Sequence, residues 1–279
     1  MVSNISILGN GFVGNALFEG LKNHFDIKVF DIDPSKSKDS FDQCVANDVL
    51  FLCLPTPVFD DGTFNLNPLM NCIINIPTEK TLVIKSTITP RAAEELMQVF
   101  PDHYFVFNPE FLTERTAVED FKNQKRIVLG SERSESNDLL ETLYKKVFPT
   151  CHYIKTDAKT ACFIKYFCNC FFAAKVSLMN EFHQVAMEAG VNWEDSLDGL
   201  MSSGWVNPMH TMVPGPDGHL GYGGKCFPKD VQAFNDYCRS LNLDPKIQQA
   251  AWEKNLEIRE DRNWERISGA ISKKNKKKT

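Results

Sequence analysis

The chain lacks a CxxC pair and any regular cysteine framework. Its nine cysteines are an odd number at irregular spacing, which excludes a disulfide scaffold and predicts reduced thiols in a cytoplasmic protein. Cys168 and Cys170 stand close together but have no further ligands in register, so no metal site is expected. An excess of positive charge is also missing. The net charge of −5 excludes a general nucleic-acid binder. The basic run KKNKKK (273–278) reads as part of a solvated, disordered tail over 272–279. No targeting segment is expected, because the apolar start ISILGNGFVGNAL has no basic flank and its glycines suit a turn. No membrane span is expected either, since Lys165, Asn169 and Lys175 interrupt the most apolar stretch, 161–178. Internal repeats are absent.

What remains is the composition of a soluble globular protein, 43% hydrophobic and 24% charged over 279 residues, enough for two domains. Short apolar runs at 4–8, 27–31, 48–54, 81–87, 104–108, 126–130 and 151–155 read as strands. Amphipathic segments such as 92–100 and 137–147 read as helices between them. Strands alternating with helices predict right-handed crossovers and a Rossmann-like α/β domain over 1–156, with a doubly wound, mostly parallel sheet. Beyond it, Asp157 is expected to cap one long helix over 157–189, which Gly190 ends. Apolar residues lie nearly all around this helix. It is therefore expected to be buried on most sides and to build a homodimer interface. A loop rich in Gly and Pro (202–228) and a helical region to about 271 complete an all-helical domain over 157–271.

The first strand runs into Gly9-Asn10-Gly11-Phe12-Val13-Gly14, a G-x-G-x-x-G turn that opens a helix. That context predicts dinucleotide binding: Gly9 for the tight turn, Gly11 for close approach of a pyrophosphate, and Gly14 for helix–strand packing. Asp31 ends the second strand, where a carboxylate accepts from ribose hydroxyls and repels a 2′-phosphate. The expected cofactor is NAD rather than NADP. LPTP sets Thr56, and KST sets Thr87, at the carboxyl edge of the sheet, where ligands of open α/β sheets bind. In NPEFLTE, Pro109 is expected to open a short helix with Glu110 and Glu114 one turn apart on one face. Lys165 and Asn169 share a face of the long helix at i, i+4 spacing, and are expected to turn toward the cofactor cleft.

These motifs, with KYFCN (165–169) and GYGGKCFPKD (221–230), resemble the UDP-glucose/GDP-mannose dehydrogenase family in kind and in order. The resemblance covers about residues 5 to 255. It implies a four-electron oxidation of the primary alcohol of a sugar nucleotide to a carboxylate, UDP-glucose being the expected substrate and NAD⁺ the acceptor. By position, Cys226 is implied as the nucleophile, passing through a thiohemiacetal and a thioester. Lys165 and Asn169 are implied to stabilise the oxyanion, Asp230 and Thr87 to hold a proton-relaying water, and Glu110 to promote thioester hydrolysis. Phe111, Leu112, Glu114, Tyr222 and Gly223 are implied in substrate binding, and Lys36 and Glu114 in cofactor contact. The chain departs from the family where Arg115 replaces a common glycine, where Lys225 replaces the usual serine before Cys226, and where His210 stands near a common arginine. Lys225, if it faces inward, is expected to favour the Cys226 thiolate. The chain also stops before the family's third, nucleotide-sugar-binding domain. Two alternatives follow from the same residues. One is a single-hydride β-hydroxyacid dehydrogenase, which has no need of Cys226; the other is a non-catalytic protein that binds NAD or a partner.

Overall fold

The computed structural model describes residues 2–59 and 62–272, so all but Ser272 of the expected basic tail lies outside the described residues. The described chain divides into two compact units, Met1–Thr56 with Asn65–Lys165, and Pro57–Phe64 with Tyr166–Thr279.

The first unit is built on a seven-stranded sheet. In chain order it contains β1 (Asn4–Leu8), α1 (Phe12–Leu21), β2 (Asp26–Phe30), α2 (Phe41–Val45) and β3 (Val49–Leu52). The segment β4 (Val58–Phe59) leaves for the second unit, and the chain returns with α3 (Asn67–Ile73), β5 (Thr81–Ile84), α4 (Pro90–Val99) and β6 (Tyr104–Phe107). Then come α5 (Ala117–Lys122), β7 (Arg126–Gly130), α6 (Ser134–Lys145) and β8 (His152–Thr156). The strand order is β2-β1-β3-β5-β6-β7-β8, parallel except between β6 and β7. Strands β3 and β5 are buried along their whole length, as expected where helices cover both faces of a parallel sheet. Local signals agree with this topology. Ser40 and Gln43 form a capping box on α2, and Thr89 caps α4 with Pro90 in its first turn.

The long helix, α7, runs Ala158–Ala189. Asp157 accepts from Thr160 N at 2.8 Å, which caps its start. Gly190, at φ +65°, ends it with the paired bonds Gly190 N to Met187 O and Val191 N to Ala186 O, a Schellman motif. Contrary to expectation, α7 is not buried on most sides within the chain. Phe167, Phe171, Phe182 and Val185 are 62%, 57%, 59% and 60% exposed, and their spacing places them on one face. By length and composition alone this helix is apolar enough to cross a membrane, with mean hydropathy 1.3 over its most apolar window. Its buried polar residues nevertheless find protein partners, Lys165 with Glu110, Asn169 with Asp230 and Ser177 with Ala251 O. That is the pattern of a core helix.

The second unit continues with α8 (Trp193–Ser202), α9 (Phe227–Ser240) and α10 (Lys246–Ile258). Asn192 caps α8 by accepting from Asp195 N at 3.1 Å, a local signal in a stretch to which the sequence reading assigns no element. The expected helical run to 271 is broken. Asn242 at φ +59° and Pro245 separate α9 from α10, and β9 (Ile271–Ser272) then pairs in parallel with β4. Apart from this two-residue ribbon, the regular elements described in the second unit are helical, as expected. Its core joins Val58, Tyr166, Cys170, Tyr222 and Val231.

Candidate active site

In the first unit, the carboxyl edge of the sheet gathers the glycine turn and the ends of β2, β3, β5 and β6. Gly9 has φ +96°, and a Cβ there would lie 2.6 Å from Cys53 O, so no other residue fits this turn without movement. A Cβ on Gly14 would fall 1.9 Å from Gly9 O; that contact lets α1 pack against the strand. Gly11 is the opposite case. Nothing lies within 4 Å of its Cβ position, so the backbone is open to a ligand at the start of α1. Phe12 packs on the sheet core, and Val13 is half-buried beside it. Asp31 accepts from Asn10 N at 2.6 Å and from Asp33 N at 2.9 Å, which fixes its carboxylate next to the glycine turn. Asn10 donates its amide to Lys36 O at 2.7 Å, while the Lys36 ammonium pairs with Asp33 at 3.3 Å. These residues fit a dinucleotide: an open backbone at a helix start for the phosphates, and a fixed carboxylate for the ribose.

Thr56 is buried and gives its hydroxyl proton to Thr87 O at 2.7 Å. It ties the loops after β3 and β5 together, so its proton is already committed. Thr87 itself is half-buried. The helix expected from Pro109 does not form. Residues 108–113 are irregular and a 3₁₀ turn begins only at Glu114 (Glu114–Thr116). Glu110 explains this: its Oε2 accepts from Leu112 N at 2.6 Å, and this local bond turns the backbone away from helix. Its Oε1 meets Lys165 Nζ at 3.1 Å, both side chains being almost wholly buried. Phe111 lies beneath the Arg126 guanidinium, 4.1 Å from the ring centroid, with Lys165 Nζ at 5.4 Å. Leu112 packs against the sheet core. Glu114 and Arg115 are exposed, so the two glutamates do not share a helix face.

In the second unit, GYGGKCFPKD forms a glycine loop that enters α9. Cys226, half-buried, is the N-cap residue of that helix, and Pro228 stands in its first turn. The loop is clamped from below. Gly221 N donates to Asn180 Oδ1 at 3.0 Å, and Tyr222 N donates to Asn255 Oδ1 at 2.7 Å. Asn255 returns its own amide to Tyr222 O at 3.0 Å, and Gly224 N reaches Asn263 Oδ1 at 2.9 Å. Gly221 has φ +69°. A Cβ on Gly223 would meet the Arg259 guanidinium at 2.5 Å, so the loop lies against its clamp at van der Waals distance. Tyr222, implied as a sugar contact, is instead 4% exposed, with its ring against Phe227 and Trp252. Lys225 is half-buried.

One turn into α9, Asp230 is 1% exposed. Its Oδ2 accepts from Asn169 Nδ2 at 2.6 Å, and its Oδ1 takes the Lys229 ammonium. Burial, reinforced by Asp230, pushes the Cys170 thiol well above its ordinary value, which keeps this neighbouring sulfur protonated and inert. His210 packs its ring between Phe172 and Phe227, with centroids at 4.8 and 5.3 Å. Burial and then Lys175 lower its pKa, so at neutral pH it does not reproduce an arginine's charge. Sequence reasoning missed Lys85, Asn180, Asn255, Arg259 and Lys229. All five are buried polar residues; Lys85 and Asn180 follow apolar runs, a signal that could have exposed them, whereas Lys229, Asn255 and Arg259 stand among other charged residues and give none.

Residues 35–148 match the NAD binding domain of the UDP-glucose/GDP-mannose dehydrogenase family, and residues 159–257 match its central domain. The chain belongs to this family. The matched range starts beyond the glycine turn, so the case for Gly9, Gly11 and Gly14 rests on their own geometry. Among curated relatives, UDP-glucose 6-dehydrogenase AglM of Haloferax volcanii is 30% identical over 243 residues, covering 80% of this chain and 55% of the relative. UDP-glucose 6-dehydrogenase of Rickettsia felis is 32% identical over 222 residues, covering 75% of this chain and 47% of the relative. The chain thus spans about half the length of these relatives. Among solved structures, a UDP-glucose dehydrogenase from Pyrobaculum islandicum superposes with TM-score 0.81 at 25% identity, covering 92% of this chain and 68% of that one. A 3-hydroxyisobutyrate dehydrogenase from Mycobacterium tuberculosis shares the fold with TM-score 0.73 at 18% identity, covering 92% of this chain and 94% of that one.

Proposed function

We propose that this family member catalyses the NAD-dependent four-electron oxidation of the primary alcohol of a sugar nucleotide to the carboxylate, with UDP-glucose converted to UDP-glucuronate. The observation that carries the proposal is Cys226, placed at the N-cap of α9 on a glycine loop clamped by three asparagines. Helix-start amides favour negative charge at that position. A thiolate is also the nucleophile that an alcohol-to-acid oxidation needs, because its thioester still hydrolyses.

Gly9, Asn10, Gly11 and Asp31 would hold NAD⁺, which when bound would supply the hydride acceptor for each of two oxidations. Cys226 Sγ adds to the aldehyde carbon, and the oxygen takes up a proton to complete the thiohemiacetal. After the second oxidation, water attacks the thioester carbon, the C–S bond breaks, and the thiol is restored as the acid leaves. Lys165 and Asn169 donate to the developing oxyanion. Asp230, held by Asn169 and Lys229, receives and returns the proton, and Glu110 polarises the hydrolytic water. The exposed face of α7 supports a homodimer built through this helix, and a cytoplasmic location fits the soluble composition. The chain's own test is NADH formation on adding UDP-glucose, followed by absorbance, with two NADH per sugar expected. No NADH with any of a panel of sugar nucleotides would defeat the proposal.

A second reading is favoured by the 94% coverage of the 3-hydroxyisobutyrate dehydrogenase fold, namely a single-hydride oxidation of a β-hydroxyacid. Full turnover in Cys226→Ser would select it over the first.

A further inference from the structure

No step of the proposed oxidation uses Lys85, yet it is 4% exposed at the carboxyl end of β5. A buried ammonium is costly unless it is paired, and Lys85 forms no ion pair among the described residues. Its Nζ donates to Asn108 Oδ1 at 3.0 Å. The same oxygen accepts from Tyr144 OH at 2.6 Å, and Asn108 Nδ2 donates to Val128 O at 2.8 Å. The Asn108 side chain is thus held from β5, α6 and β7 at once. Two residues later stands Glu110, whose two oxygens are occupied by Lys165 and by Leu112 N.

The titratable groups facing Lys85 are Cys53, Glu110 and Lys165. Burial first, with Lys165 adding to it and Cys53 and Glu110 opposing, brings Lys85 down to about 8. Burial also pushes the Cys53 thiol up to about 12, so this sulfur stays neutral beside the ammonium. Two buried cations therefore flank one buried carboxylate, and the second cation is reached only through Asn108. A methionine would fill the same space without the charge.

We propose that Lys85 is a positioning residue for Glu110: its ammonium orients Asn108 and so fixes the chain entering the Pro109–Glu110 turn, where Lys165 pairs with the Glu110 carboxylate. When Lys85 loses its proton, its bond to Asn108 loses the charge that strengthens it, and the turn carrying Glu110 is held less firmly. Turnover then acquires an alkaline limb that belongs to Lys85. The turnover part rests on the dehydrogenase reading, whereas the titration is a property of the fold.

The test combines NMR of lysine side chains with kinetics on the full chain. The Lys85 resonance, assigned by its loss in Lys85→Met, should titrate near pH 8, with the Asn108 side-chain amide moving over the same range. Glu110→Gln should lower that midpoint and Lys165→Met should raise it. Asn108→Asp, which sets a carboxylate against the ammonium, should raise it as well. In turnover, Lys85→Met should lower kcat about tenfold while KM for the sugar nucleotide stays within about twofold, and the alkaline limb should vanish. A Lys85 that titrates near the ordinary value of about 10.4, an Asn108 amide indifferent to that titration, or a wild-type pH profile in Lys85→Met would each overturn the proposal. If wild-type chain is inactive toward every sugar nucleotide, the functional reading fails and the NMR arms alone decide the role of Lys85.

Discussion

Around the sheet, the buried polar groups include an ionisable cluster: Lys85, Glu110 and Lys165 lie within electrostatic reach of one another. Beneath the cysteine loop, the groups that hold the backbone are amides, Asn180, Asn255 and Asn263. A carboxylate–lysine cluster changes with pH and can hand protons on. An amide clamp keeps one shape at every pH and protects a conformation. The difference suits the work proposed for each, proton handling beside Glu110 and placement of the Cys226 sulfur on a fixed loop.

Breaking the charged cluster should have the largest effect on stability. Lys165→Ala leaves Glu110 buried without its cation, and unfolding in urea should show a loss of about 3–5 kcal/mol at neutral pH. Breaking the amide clamp should act differently. Asn255→Leu strands the N–H and C=O of buried Tyr222, at a cost of about 2–4 kcal/mol, and this cost should stay flat from pH 5 to 9. A cost that varied with pH there would erase the distinction between the two regions.

Lys85 sharpens the contrast because its removal should stabilise the fold. Its pKa in the folded chain, about 8, lies below the ordinary lysine value. The cost of burying its charge is therefore fully present below pH 8 and disappears as pH rises toward about 10.4. Lys85→Met should relieve roughly 3 kcal/mol of this cost and forfeit about 1 kcal/mol for the Asn108 bond. The expected net gain at pH 7 is about 2 kcal/mol in chemical denaturation, shrinking in alkali. The smallest stability effect belongs to Gly11→Ala. Its Cβ meets nothing within 4 Å, so stability should hold within about 0.5 kcal/mol, while NAD affinity measured by calorimetry should fall about tenfold. Equal NAD affinity would remove Gly11 from the phosphate site.

Features set by near neighbours were legible in the sequence. The capped start of α7 and its Gly190 end follow from contacts within a few residues, and the glycine turn and Asp31 from a motif whose spacing is itself the signal. Glu110 was legible as a candidate site acid but neither in its burial nor in its conformation, because the helix signal from Pro109 was overridden by the carboxylate's own bond to Leu112 N. Lys85 meets Asn108 across 23 positions, and Tyr222 meets Asn255 across 33. No local pattern announces such pairs. The ribbon of β4 with β9 joins residues 58–59 to 271–272, a pairing too distant in sequence for any local pattern to announce.

The most direct measurement of the central claim is the stoichiometry of NADH formed per UDP-glucose consumed, on wild type and Cys226→Ser side by side. Two NADH per sugar in the wild type, with loss of turnover by about a thousandfold or more in the variant, is the predicted result. One NADH per substrate, or full turnover in Cys226→Ser, would contradict it.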